Sequence, residues 1–140
     1  MNQEQAYHFI LVEDSKLDAF IGEKIIQSFG AVCLSLRVFV DPQEALAYIL
    51  EREFMDNRTI LFLDIQMPLM TGFEFIESFE ERAPVERQAN FVINLLSSSI
   101  NEKDMIRAGS FQSVHSFLNK PLRREMIQEV LDGLASAGKD

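Results

Sequence analysis

The chain has one cysteine among its 140 residues, Cys33. A lone thiol cannot build a disulfide framework, so stability must come from packing, as in proteins of the reducing cytosol. Basic residues are also scarce: 13 Lys and Arg stand against 22 Asp and Glu, a formal net charge of -9. Nonspecific nucleic-acid binding needs a basic face that neutralises phosphates, so no nucleic-acid partner is expected. No apolar run approaches the ~20 residues that span a bilayer. The first such run, Tyr7–Val12, has no basic segment before it. A secretory signal is therefore not expected, nor a membrane partner, and the chain reads as cytoplasmic. Repeats and low-complexity tracts are missing too. "APVERQA" (Ala83–Ala89) reads as a loop too short to separate two domains.

What remains is ordinary globular material. Apolar residues make up 47% and charged residues 25%, which excludes a disordered chain. The length suits a single domain, 1–140, with a core over about 7–136 and a frayed tail, "AGKD". Folding at this size buries roughly 68–70% of the unfolded surface, enough for a real core.

Short apolar runs alternate with longer amphipathic ones. Tyr7–Val12, Ala31–Phe39, Thr59–Asp64, Asn90–Leu96 and Val114–Asn119 read as strands. A helix follows each: Ser15–Phe29, "PQEALAYILERE" from Pro42, Gly72–Arg82, Asn101–Ala108 and Leu122–Ser136. In the first helix, Leu17, Phe20, Ile21, Ile25 and Phe29 recur at helical spacing, and Gly30 stands where a C-cap glycine belongs. Asp41-Pro42 reads as an N-cap with proline at the first helical position. Strict alternation predicts an α/β fold, a doubly wound five-stranded parallel sheet with five helices on its two faces.

In such sheets, sites form beyond the carboxyl ends of the strands, at a switch point in strand order. The residues at those ends are Glu13 and Asp14, Asp64, Ser97 to Ser99, and Lys120 before Pro121. Each has a plain reading: Asp14 as a helix N-cap, the serines as loop, Lys120 as a solvated surface residue. Together they read differently. If the first and third strands are neighbours, three carboxylates converge, and they repel and raise one another's pKa unless a cation intervenes. Hard oxygen ligands with room for water and phosphate suit Mg²⁺. A carboxylate nucleophile, a metal and a lysine are the parts for phosphoryl transfer to an aspartate.

At these residues the sequence resembles the receiver domains of two-component response regulators, over nearly its whole length. An acidic pair after the first strand is matched by Glu13-Asp14. A D-x-x-M-P-x-x-x-G pattern after the third is matched by "DIQMPLMTG", Asp64 to Gly72. A strand-four hydroxyl is matched by Ser97, and a lysine before proline by Lys120-Pro121.

The resemblance implies a flavodoxin-like sheet of order 2-1-3-4-5. It makes Asp64 the phosphoacceptor and Glu13, Asp14, Asp64 and the backbone carbonyl of Gln66 the Mg²⁺ ligands. Ser97 would bond a phosphoryl oxygen and Lys120 would pair with it. Phe117, otherwise a core filler, would be an aromatic switch moving with Ser97. Ser98 stands where a small residue admits the phosphate, while Gln66 and Ser99 could tune phosphate lifetime. The implied partners are a histidine kinase or histidine phosphotransfer protein, and a downstream protein on the face of the fourth helix, fifth strand and last helix. With no effector after that helix, a stand-alone receiver that catalyses only its own phosphorylation and dephosphorylation is expected. Two alternatives remain: a Mg²⁺-dependent aspartate phosphohydrolase, which needs an acid where Gln66 stands, and a degenerate receiver that only binds.

Overall fold

The computed structural model describes residues 5–53 and 56–137. Five strands, β1 (Tyr7–Val12), β2 (Cys33–Phe39), β3 (Thr59–Asp64), β4 (Phe91–Ser97) and β5 (Val114–Asn119), form one sheet. All pairings are parallel and the order is β2-β1-β3-β4-β5. The helices are α1 (Lys16–Gln27), α2 (Pro42–Glu51), α3 (Gly72–Arg82), α4 (Val85–Ala89), α5 (Glu102–Gly109) and α6 (Arg124–Ala137). The flavodoxin-like architecture is as expected.

The helix count is not: the segment taken as a loop contains α4. Its "VERQA" is made of good helix formers after Pro84, but one turn is too short to show periodicity. The expected fraying of the tail falls, beyond Ala137, outside the described residues.

Alternation along the central strands divides the core in two. Ile10, Leu61, Leu63, Ile93 and Leu95 face α2, α3 and α5, meeting Leu46, Ile49, Phe75, Ile76, Phe79 and Ala108. Phe9, Leu11, Ile60, Phe62, Val92 and Leu96 face α1 and α6, meeting Ile26, Ile127, Val130 and Leu131. Successive side chains of a strand point to opposite faces, and with both faces covered the strands read as continuous apolar runs.

Helix α1 departs from the expected pattern. It buries Ala19, Gly22 and Ile26, while Leu17, Phe20 and Ile21 lie 68%, 56% and 44% exposed. The helix carries two apolar stripes, and the one with small residues wins the core because it lets the backbone approach β1. A Cβ on Gly22 would stand 2.7 Å from Leu11 Cδ2. Ser28 caps the helix, and Gly30, at φ 64, opens a 3-10 turn over Gly30–Val32. That turn occupies the residues where the second strand was expected to begin.

The β3–α3 connection explains the glycine that ends the "DIQMPLMTG" segment. Thr71 caps α3 through the Glu74 N–H, and Glu74 bonds back to the Thr71 N–H, forming a capping box. Gly72 donates to the Ile65 carbonyl at 3.1 Å. A Cβ on Gly72 would lie 2.7 Å from Ile65 Cα and 2.9 Å from the Asp64 carbonyl oxygen, both backbone atoms. Only glycine allows the helix to start this close to the strand end. Gly72→Ala is therefore expected to destabilise the fold by about 1–3 kcal/mol, the usual range for overpacking, in urea denaturation followed by circular dichroism.

Candidate functional site

The strand order puts β1 beside β3 while α1 leaves β1 to one face and α3 leaves β3 to the other, so a crevice opens at the carboxyl ends of these two strands. Three strand ends feed it. After β1, the Glu13 N–H bonds the Phe39 carbonyl at 2.9 Å and extends the ladder by one residue. Glu13 is buried, with Oε2 accepting the Ser15 N–H at 3.2 Å. Ser15, not Asp14, caps α1, its hydroxyl accepting the Asp18 N–H. The exposed Asp14 carboxylate is thus left to the crevice.

Asp64 ends β3 and is 2% exposed. Its neighbour Ile65 continues the ladder, donating to the Leu96 carbonyl at 2.9 Å. Asp64 Oδ1 accepts the Gln66 N–H at 3.0 Å, which places the Gln66 backbone beside the carboxylate. Carboxylate oxygens of Glu13, Asp14 and Asp64 lie within 4.8 Å of one another.

Lys120 enters from β5. Its N–H donates to the Ser97 carbonyl at 2.8 Å, and a cis peptide joins it to Pro121. Its Nζ lies 2.9 Å from Glu13 Oε1, 3.2 Å from Asp64 Oδ2 and 3.5 Å from Asp18 Oδ2. Asp18 was not singled out in the sequence. Its place at the mouth depends on a contact between α1 and the distant end of β5, which no local pattern marks.

The electrostatics follow from this crowding. Burial pushes the Glu13 carboxyl up to about 7, a rise to which the charge of Asp64 adds, against the Lys120 hydrogen bond. Asp14 is also raised, by burial and then by Asp64. For Lys120, burial opposes the charge, but the hydrogen bond to Glu13 and the charges of Asp64 and Glu13 prevail and raise it. The ammonium is therefore firmly charged, while Glu13 sits between its two forms near neutrality.

The remaining residues singled out from the sequence surround this centre. Ser97 is fully buried, its hydroxyl donating to the Ser99 carbonyl at 2.8 Å and accepting the Ser99 N–H at 3.1 Å. Here that hydroxyl is satisfied by its own turn. Ser98, the small residue beside the approach, donates to the side-chain carbonyl of Gln66 at 2.7 Å. A hydroxyl one residue from the crevice reaches a long amide across it, a contact that depends on two loops meeting and not on local pattern. Phe117 pairs with Leu95 in register and is half-buried against the α2–α3–α5 core. It borders a shallow cleft of about 170 Å³ between α5 and β5, with Met105, Ala108 and Val114.

The donor set tests the metal expectation. Three carboxylates within reach of one point, with no thiolate or imidazole among them, suit a hard divalent cation such as Mg²⁺. The raised carboxyls of Glu13 and Asp14 are what such crowding produces when no cation relieves it.

A family model, the response regulator receiver domain, matches residues 9–132. This chain belongs to that family. Its fold superposes on a response regulator receiver protein from Dyadobacter fermentans with a TM-score of 0.81 at 30% identity, covering 90% of this chain and 95% of that one. A chemotaxis protein, CheY4 of Vibrio cholerae, shares the fold with a TM-score of 0.73 at 21% identity, over 91% of this receiver and 97% of that chain. Among curated proteins, a hybrid signal transduction histidine kinase L of Dictyostelium discoideum is 26% identical over 122 residues. That match covers 87% of the receiver but 7% of the kinase, so this chain spans a small part of that relative's length. Among the described residues, no helix is long and apolar enough to cross a membrane.

The Glu13 shift predicts a pH dependence. Its folded pKa of about 7 exceeds the ordinary 4.5, so the folded state holds the proton more tightly than the unfolded chain. The resulting stability is present below pH 4.5 and is lost as pH rises through about 7. Without divalent cations, the unfolding free energy of wild type relative to Glu13→Gln is expected to fall across that window by on the order of 2 kcal/mol. Urea denaturation of both proteins at several pH values measures it.

Proposed function

We propose that this receiver accepts a phosphoryl group on Asp64 from a phosphohistidine and signals through a protein partner. The observation that carries this reading is the meeting of Asp64 with Glu13, Asp14 and Lys120 at one point. Asp64 is buried, fixed by the Gln66 N–H and flanked by a firmly charged lysine. A carboxylate oxygen attacks phosphorus in line. The P–N bond to imidazole breaks, an O–P bond forms, and the leaving imidazole takes up a proton.

Glu13, Asp14, Asp64 and the Gln66 backbone carbonyl would hold Mg²⁺, whose chemistry is to neutralise phosphoryl charge and orient its oxygens. Lys120 supplies a second positive charge at the same oxygens. Ser97 gives up its turn to donate to the phosphoryl group, and Phe117 follows inward.

Two surfaces suit two partners. Leu17, Phe20 and Ile21 form an exposed apolar patch on α1, one turn from Asp18 and the mouth of the site. It suits the donor, which must bring its histidine to Asp64. On the other side, α5 is a light element: it buries Ala108, exposes Met105 and Ile106, and is tied to α3 by Arg107, paired with Glu77 at 3.2 Å. Weakly anchored elements move at low cost, so α5, β5 and α6 suit a phosphorylation-dependent output. These roles place the protein in the cytoplasm, where kinases have ATP. The phosphohydrolase alternative fails on chemistry, since Gln66 carries an amide where an acid is needed, and that amide is bonded to Ser98.

Incubation with Mg²⁺ and a small acyl phosphate is expected to add one phosphoryl mass to the intact chain. Asp64→Asn should add none, and a chelator should abolish uptake. An adduct that persists in Asp64→Asn overturns the assignment. Leu17→Glu is expected to slow transfer from whichever phosphohistidine protein loads the wild type by about tenfold, the scale of an interface hot spot. Uptake from the small donor should stay unchanged, which separates docking from chemistry.

A further inference from the structure

The Lys120 ammonium has three carboxylate partners, and they are not equivalent. Glu13 and Asp64 belong to the cluster that suits a divalent cation, and both are buried. Asp18 does not belong to it. Its carboxylate stands on α1, with its side chain 44% exposed and Oδ2 3.5 Å from Nζ. A cation entering the cluster takes up oxygens of Glu13 and Asp64 and repels the ammonium that now touches them. Lys120 then keeps one partner that does not compete for the cation. Its side chain is 15% exposed, so it cannot simply be released to bulk water without rearranging the crevice.

We propose that Asp18 is a positioning residue that receives Lys120 when a divalent cation binds. It draws the ammonium to the α1 side of the mouth, lowers its repulsion with the ion, and keeps it within reach of a phosphoryl group on Asp64. The proposal rests on the metal reading given above and adds to it a residue that no ligand set contains. Asp18 lies in the helical turn that also carries Leu17 and Ile21, so donor docking would cover it and strengthen the same contact.

The distinction to be made is between an effect through Lys120 and the general field of a negative charge. A double-mutant cycle makes it, with Mg²⁺ affinity read by calorimetry in the absence of any phosphodonor. Asp18→Asn is expected to weaken Mg²⁺ binding about threefold, the scale of a partly exposed ion pair. In the Lys120→Met background, which removes the repulsion, the same substitution should leave affinity unchanged. Asp18→Glu should restore most of the loss in the parent. An equal loss in both backgrounds would mean a field effect only and would overturn the proposal. No loss in either would do the same. Absence of Mg²⁺ binding by the wild type would instead overturn the metal reading itself, and this proposal with it.

Discussion

Like charges held together at the carboxyl end of the sheet are the constraint around which this molecule is arranged. Glu13, Asp14 and Asp64 bring oxygens within 4.8 Å of one another, two of them on buried residues. Such crowding is unfavourable unless a proton, a lysine or a metal relieves it. In this structure Lys120 does so, and burial together with the charge of Asp64 raises the Glu13 carboxyl toward taking up a proton as well. Each remedy is displaceable, and displaceability is what a site for a cation and a phosphoryl group requires.

The rest of the fold serves to keep that arrangement in place. Parallel pairing of β1 with β3 sets Glu13 and Asp64 at the same level. The Gly72 turn holds the β3 exit against α3, and the Lys120 backbone is tied to Ser97 across the β4–β5 edge. Rigid support stands beside two lighter elements. Helix α5 is attached by few buried side chains, and Ser97 is satisfied by a local turn that can be undone. The reactive centre is stiff and its reporters are loose.

Much of this was legible in the sequence because it depends on local patterns. Continuous apolar strands, capping residues and the carboxylates at strand ends follow periodicities of two and of about 3.6. The parallel sheet could be read from them, while the convergence of Asp64 with Glu13, Asp14 and Lys120 needed the strand order that the resemblance to receiver domains implies. What could not be read depends on contacts between distant segments. Leu17, Phe20 and Ile21 looked like a core stripe, since spacing alone does not say which of two apolar faces packs. The pairing of Ser98 with Gln66, and of Asp18 with Lys120, arises where segments that leave different strands meet. Helix α4 was lost for a simpler reason, that one turn carries no period.

The central claim is that these carboxylates are crowded so as to be relieved by a divalent cation. Calorimetric titration of Mg²⁺ at pH 7, in two buffers of different ionisation enthalpy, tests it by counting protons released on binding. With the Glu13 and Asp14 carboxyls both raised by burial and by the charge of Asp64, the account predicts net release of protons on binding. Binding with no proton release, or no binding at millimolar Mg²⁺, would contradict it.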